Sequence, residues 1–161
     1  MTDQASSDLM DTLPTQQQML SMSGLEFMQG ILSGALNGPP IAKTLNFWLT
    51  EVEDGRITFE GIPGATATNP LRTVHGGWYG TVLDSCMACA VMTKVPKGSY
   101  YTTLEFKVNI IRSIPIDRKV KATGVIQHAG RSTGIANGEI RDLETDALYA
   151  TGSTTCIIMK A

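Results

Sequence analysis

One histidine, two glycines and one aspartate carry the chemistry that this sequence offers. In the stretch Thr73–Thr93 (TVHGGWYGTVLDSCMACAVMT) the only formally charged side chain is Asp84, nine residues after His75. Burying an unpaired carboxylate costs several kcal/mol or moves its pKa upward. Asp84 therefore needs either a partner (Arg72, Lys94 or a neighbouring chain) or a task as general base or nucleophile. His75-Gly76-Gly77 stands where the stretch would enter a helix. First-turn N–H groups lack intrahelical acceptors and lie at the positive end of the macrodipole. Glycine lets a substrate come close to that backbone. Donors aimed at a developing oxyanion are worth about 10²–10³ in rate. Tight packing would explain the glycine pair equally well, and helix capping would explain His75.

Spacing adds a constraint. Eight residues of α-helix separate Gly76 from Asp84 by about 12 Å, whereas reacting groups must meet within about 3–3.5 Å. One chain cannot readily bring both to one carbonyl. Two chains with antiparallel helices could, each supplying half of two equivalent sites.

The elements that must position these groups follow from periodicity and turn chemistry. Residues 1–22 are polar and read as a mobile tail, leaving 23–161 as one domain. Leu25, Met28, Ile31, Leu32 and Leu36 recur at helical spacing, predicting a helix over 23–38 ended by Asn37-Gly38-Pro39-Pro40. Two strands, Asn46–Val52 and Arg56–Gly61, join through an Asp54-Gly55 turn. The central helix is expected over 75–94. Beyond it Leu104, Phe106, Val108 and Ile110 alternate with Thr103, Glu105, Lys107 and Asn109. Lys119–Gln127, Arg131–Asp142 and Leu148–Met159 complete four strands. On the last, Ala150, Gly152 and Thr154 are small enough for close packing. The expectation is an α+β fold, an antiparallel sheet wrapped around one long helix.

Composition narrows the classes. A net charge of −2 without a basic stripe argues against nucleic acid as a partner. Three cysteines do not suggest a disulfide scaffold, and the N-terminus lacks the pattern of a secretory signal, so a cytoplasmic protein is expected. The central stretch approaches the length of a membrane span, but Asp84 at its middle argues for a core helix.

Asn69, His75-Gly76-Gly77, Asp84 and the later Tyr-Thr-Thr-Leu-Glu-Phe-Lys-Val-Asn together resemble the hotdog-fold thioesterases of the phenylacetic-acid-degradation (PaaI-like) type, over roughly residues 40–159. That resemblance implies a hotdog fold, dimers with a shared sheet and tetramers made from those dimers. It implies hydrolysis of acyl-coenzyme A without metal or redox cofactor, coenzyme A being part of the substrate. Carried over, Gly76 N–H and the Asn69 amide polarise the thioester carbonyl and His75 orients loop or substrate. Asp84 of the facing subunit attacks the carbonyl or activates water. Thr103, or Thr102 beside it, places a hydroxyl on the carboxylate or the water. Gly77 belongs to the same substrate-facing turn.

Phosphate contacts for coenzyme A are expected from Arg131 with Ser132 and Thr133, and from Arg112, since Arg suits bidentate phosphate binding. Other signals are set aside. Cys86 and Cys89 form a C-x-x-C inside the buried stretch, away from the helix start that would activate a thiol, and no standard zinc spacing exists. Gly130-Arg131-Ser132-Thr133-Gly134 matches G-x-S-x-G but lies between two strands instead of strand and helix. Phe47, Trp48, Trp78 and Tyr79 could line an aromatic acyl pocket or fill a core, so phenylacetyl-like and medium-chain acyl groups both stay open. A non-catalytic acyl-CoA sensor and an enoyl-CoA hydratase are the alternative readings.

Overall fold

The structure is a computed structural model that describes residues 10–161. The beginning of the expected tail, residues 1–9, lies outside the described residues. Its later part is not wholly irregular: Gln16–Leu20 forms a short helix, α1, closed by a capping box between Thr15 and Gln18.

The helix expected over 23–38 is shorter. It runs Gly24–Leu32 (α2), started by a capping box of Ser23 and Glu26. Gly34, at φ 78°, turns the chain, and Leu36 N–H donates back to Gly30 O at 3.0 Å. A left-handed glycine ends a helix without the Cβ penalty other residues carry, so Ser33-Gly34 stops the helix before the prolines are reached. Pro40–Thr44 then forms a separate short helix, α3, with Pro at its first position.

Six strands form one antiparallel sheet. They are β1 (Phe47–Glu53), β2 (Arg56–Gly61), β3 (Ser99–Ile110), β4 (Val120–Ala129), β5 (Thr133–Asp142) and β6 (Leu148–Lys160), in the order β1-β2-β4-β5-β6-β3. The central helix α4 covers Gly76–Met92, with His75 as its N-cap and Thr93 as its C-cap. The sheet curves around it, which is the hotdog arrangement.

Close approach of helix to sheet depends on small residues in the strands. A Cβ at Gly124 would stand 2.1 Å from Cys86 O, and one at Gly152 would meet Met87. Trp78, Tyr79, Val82, Leu83, Met87 and Val91 are buried beneath the sheet. No helix among the described residues is long and apolar enough to cross a membrane.

The strict alternation expected for β3 does not hold. Thr103 pairs with Cys156 and Glu105 with Thr155, leaving Leu104 as a bulge. A bulged residue switches which side chains face inward. Thr103 therefore points at α4, and so do Phe106 and Ile110, whose side chains approach Gly80 and Gly76.

Candidate functional site

The chain reaches α4 through a small loop that Asn69 organises. Its Oδ1 accepts from Leu71 N–H (2.9 Å) and Thr73 N–H (3.2 Å), and its Nδ2 donates to Thr73 Oγ1 at 2.9 Å. His75 N–H donates to Ala67 O at 2.8 Å, closing the base of the loop. These bonds deliver His75 in an extended conformation (φ −65°, ψ 138°), which suits an N-cap.

The two glycines then differ. Gly77 N–H donates to His75 Nδ1 at 2.9 Å, which leaves the proton of a neutral ring on Nε2. Gly76 N–H has no acceptor among the described residues, and both glycines are exposed. His75 thus ties up one first-turn donor and leaves its neighbour open at the positive end of the helix.

Asp84 lies two turns further on, half-buried. Thr103 Oγ1 donates to Asp84 Oδ1 at 3.1 Å, while Thr102 is exposed, so the hydroxyl that serves the carboxylate is that of Thr103. Neither cation considered as a structural partner reaches Asp84. Lys94 Nζ sits on Asp54 Oδ2 at 2.7 Å, and Arg72 forms no ion pair among the described residues. Burial pushes the Asp84 carboxyl above its ordinary value, and the Thr103 hydrogen bond only partly opposes that. A carboxylate raised in this way is a better base near neutral pH than an exposed one.

Around it lie groups that sequence reasoning missed. Cys89, raised to about 12 by burial and then by the Asp84 charge, shares a hydrogen bond with the Tyr101 hydroxyl. Tyr101 stands two residues before Thr103 on the same side of β3, a signal the pattern carried once the bulge is known. Cys86 is fully buried with its thiol on Leu83 O, and burial pushes its pKa up. Cys86 is core and Cys89 partly buried at the cavity wall, and neither stands at an activating helix start. Ser132 lies in the β4–β5 turn, where Gly130 N–H donates to Thr133 O, and so forms no nucleophile elbow.

The expected phosphate contacts separate. Arg112 N–H donates to Tyr149 O, and Arg112 stands two residues beyond Ile110, whose side chain lies at Gly76. It belongs to the end of the molecule where α4 begins. Arg131, Ser132 and Thr133 are exposed at the other end, where Gly134 rests on Val91. Fifteen residues of helix put that turn about 22 Å from Gly76 of the same chain.

The aromatic residues also divide. Trp78 Nε1–H donates to Leu45 O and Tyr79 OH accepts from Ile114 N–H, each 2.8 Å, and both rings are buried in the core. Phe47, itself buried, and the exposed Trp48 line a cavity of about 560 Å³ under α2 and α3, with Met28, Ile31, Leu49 and Phe59 as further walls and Ser85 and Cys89 as its side toward α4.

The fold is the hotdog arrangement, six antiparallel strands around one long helix. Residues 71–148 match the model of the thioesterase superfamily. Solved structures agree on the fold. A thioesterase family protein from Silicibacter pomeroyi superposes with a TM-score of 0.74 at 19% identity, over 83% of this chain and 99% of that one. The Escherichia coli PaaI protein of the phenylacetic acid degradation operon gives 0.72 at 18% identity, over 85% and 96%. A thioesterase protein from Streptococcus pneumoniae, solved with coenzyme A, gives 0.65 at 20% identity, over 71% and 87%. No curated protein matches the sequence.

Proposed function

We propose that the protein is an acyl-CoA thioesterase, working in the cytoplasm as a dimer or dimer of dimers with each site shared between two chains. The observation that carries this reading is Asp84: among the described residues, a half-buried carboxylate without a cation, held by one hydroxyl, on a helix whose first N–H is open about 12 Å away. The β3 edge supports the pairing. Among the described residues it is unpaired on its outer side, and it carries Leu104, Phe106 and Ile110, each 45–59% exposed. Such an edge is a template for another strand, and a second β3 would extend the sheet across a twofold axis.

In this scheme the thioester carbonyl lies at the α4 start of one chain, its oxygen on Gly76 N–H. His75 positions the turn by holding Gly77 N–H, and Asn69 holds the loop that delivers it. Asp84 of the partner subunit takes one of two roles. As nucleophile it forms a mixed anhydride and expels the CoA thiolate, and water then hydrolyses the anhydride. As general base it removes a proton from the attacking water, and the tetrahedral oxyanion collapses with loss of the thiolate. Thr103 orients the carboxylate in both. Arg112 is available for phosphate at the helix start, and an antiparallel partner would bring its own Arg131 turn toward that end. The acyl group is apolar, aromatic or medium-chain.

The test is thiol release from a panel of acyl-CoAs by the wild type and Asp84→Asn at equal oligomeric size. A fall of about 10² or more is expected. Saturable acyl-CoA binding without wild-type turnover on any member would leave a sensor and overturn the catalytic reading.

A further inference from the structure

The cavity under α2 and α3 lies outside the stretch that matches the thioesterase superfamily, apart from Ser85 and Cys89. Resting on the thioesterase reading above, we propose that it receives the acyl group and that it selects unbranched alkyl chains over hydroxylated aromatic ones.

Position is the first argument. Ser85 follows Asp84 directly, and the Cys89 thiol is close enough to Asp84 to feel its charge. A carbonyl held at Asp84 would therefore have its acyl tail within reach of the cavity's α4 side. Wall chemistry is the second. Met28, Ile31, Phe47, Leu49 and Phe59 are apolar, the side chains of Ser85 and Asn46 are engaged, and the one charged lining residue, Lys43, is exposed to solvent. Ser85 Oγ donates to Thr81 O at 2.7 Å, and Asn46 Nδ2 donates to Ile62 O at 2.9 Å. A ring hydroxyl buried against the apolar walls, away from Lys43, would lose its water without gaining a partner, which costs free energy. Pure hydrocarbon meets no such penalty.

Size is the third. The cavity is about 560 Å³, whereas a methylene is close in size to a liquid water, roughly 30 Å³. It has room for more than one ring. Its roof is fixed in place: Gly24 N–H, at the start of α2, donates to Val95 O at 2.9 Å, and Gly24 lies directly on the Met92 backbone. A preformed pocket spares the cost of ordering on binding.

The experiment measures kcat/KM for acyl-CoAs from acetyl to dodecanoyl, with phenylacetyl and hydroxyphenylacetyl, and in parallel the affinity of the matching S-alkyl-CoA thioethers. Wild type is compared with Ala42→Phe and Ile31→Trp, which place an aromatic ring in the cavity from α3 and α2. Expected for the wild type is a gain of about fourfold per added methylene, the equivalent of roughly 0.8 kcal/mol, until the cavity fills. Hydroxyphenylacetyl should fall below phenylacetyl. The decyl-to-ethyl ratio should drop at least about tenfold in whichever filled variants keep the wild-type size and circular dichroism. A flat series in the wild type, or an unchanged slope in a folded filled variant, overturns the cavity as acyl receptor. Steep thioether binding that is lost on filling, with no hydrolysis of any thioester, would keep the cavity and sink the hydrolase reading instead.

Discussion

Mixing two inactive variants tests whether the site is composite. Gly76 is the first residue of α4, and His75 before it sits at φ −65°, ψ 138°. Proline is favoured at a first helical position and wants such an extended residue before it. A Cβ at Gly76 would meet only Ile110 Cδ1, at 3.6 Å, an ordinary contact. Gly76→Pro therefore removes the open N–H with little else, and losing one such donor should cost about 10²–10³ in kcat. Asp84→Asn removes the carboxylate and leaves the helix start intact. If each site takes Gly76 from one chain and Asp84 from the other, a mixed dimer holds one intact site and one doubly damaged one. Equal amounts, unfolded and refolded together, give half mixed dimers, so activity should return to about one quarter of wild type. Thiol release on the best acyl-CoA is the assay, with native mass spectrometry to count mixed dimers. Mixed dimers that form in the expected proportion yet show no more activity than either parent would refute the shared site, because a site within one chain is damaged in every subunit.

Other outcomes follow from the same structure. Asp84→Asn should be more stable than wild type: burial raises the folded carboxyl's pKa, so ionising it opposes folding. Its advantage in urea midpoint should be absent below the unfolded value near 3.8, grow as pH rises through the folded value, and then hold constant; a variant no more stable at neutral pH than wild type would contradict the burial argument. Thr103→Val removes a hydrogen bond that lowers the Asp84 pKa, so the acid limb of kcat/KM should move to higher pH, and Thr103→Ser should restore it. Asp142 is buried, held by Arg118 in two bonds of 2.6 and 2.8 Å, by Tyr149 OH and by two backbone N–H groups. Asp142→Ala should cost roughly 3–5 kcal/mol by denaturant melting, with activity per folded molecule unchanged. Gly124→Ala forces a methyl against the Cys86 carbonyl and should destabilise by about 1–3 kcal/mol or more; a neutral result would mean that helix and sheet can slide apart.

Local chemistry made much of this protein legible in its sequence. Alternation marked the strands, Asp54-Gly55 marked its hairpin, and a lone charge in an apolar stretch marked Asp84. Capping and spacing put His75-Gly76-Gly77 at the head of a helix about 12 Å from that carboxylate, which already required two chains if both serve one carbonyl. Each of these depends on neighbours within a few residues, where sequence order and spatial order coincide.

Only the folded chain decided the rest. The Leu104 bulge aims Thr103 at Asp84; period-two reasoning set Thr103 opposite Phe106, because a bulge has no residue signature of its own. That His75 takes Gly77 N–H and frees Gly76, that Trp78 is tied to Leu45 O within the core while Trp48 lines a cavity, and that Lys94 pairs with Asp54 all depend on which side chains lie close together. Those distances join residues far apart in the chain. Long-range packing sets them, and a sequence pattern, which records only separation along the chain, does not contain them.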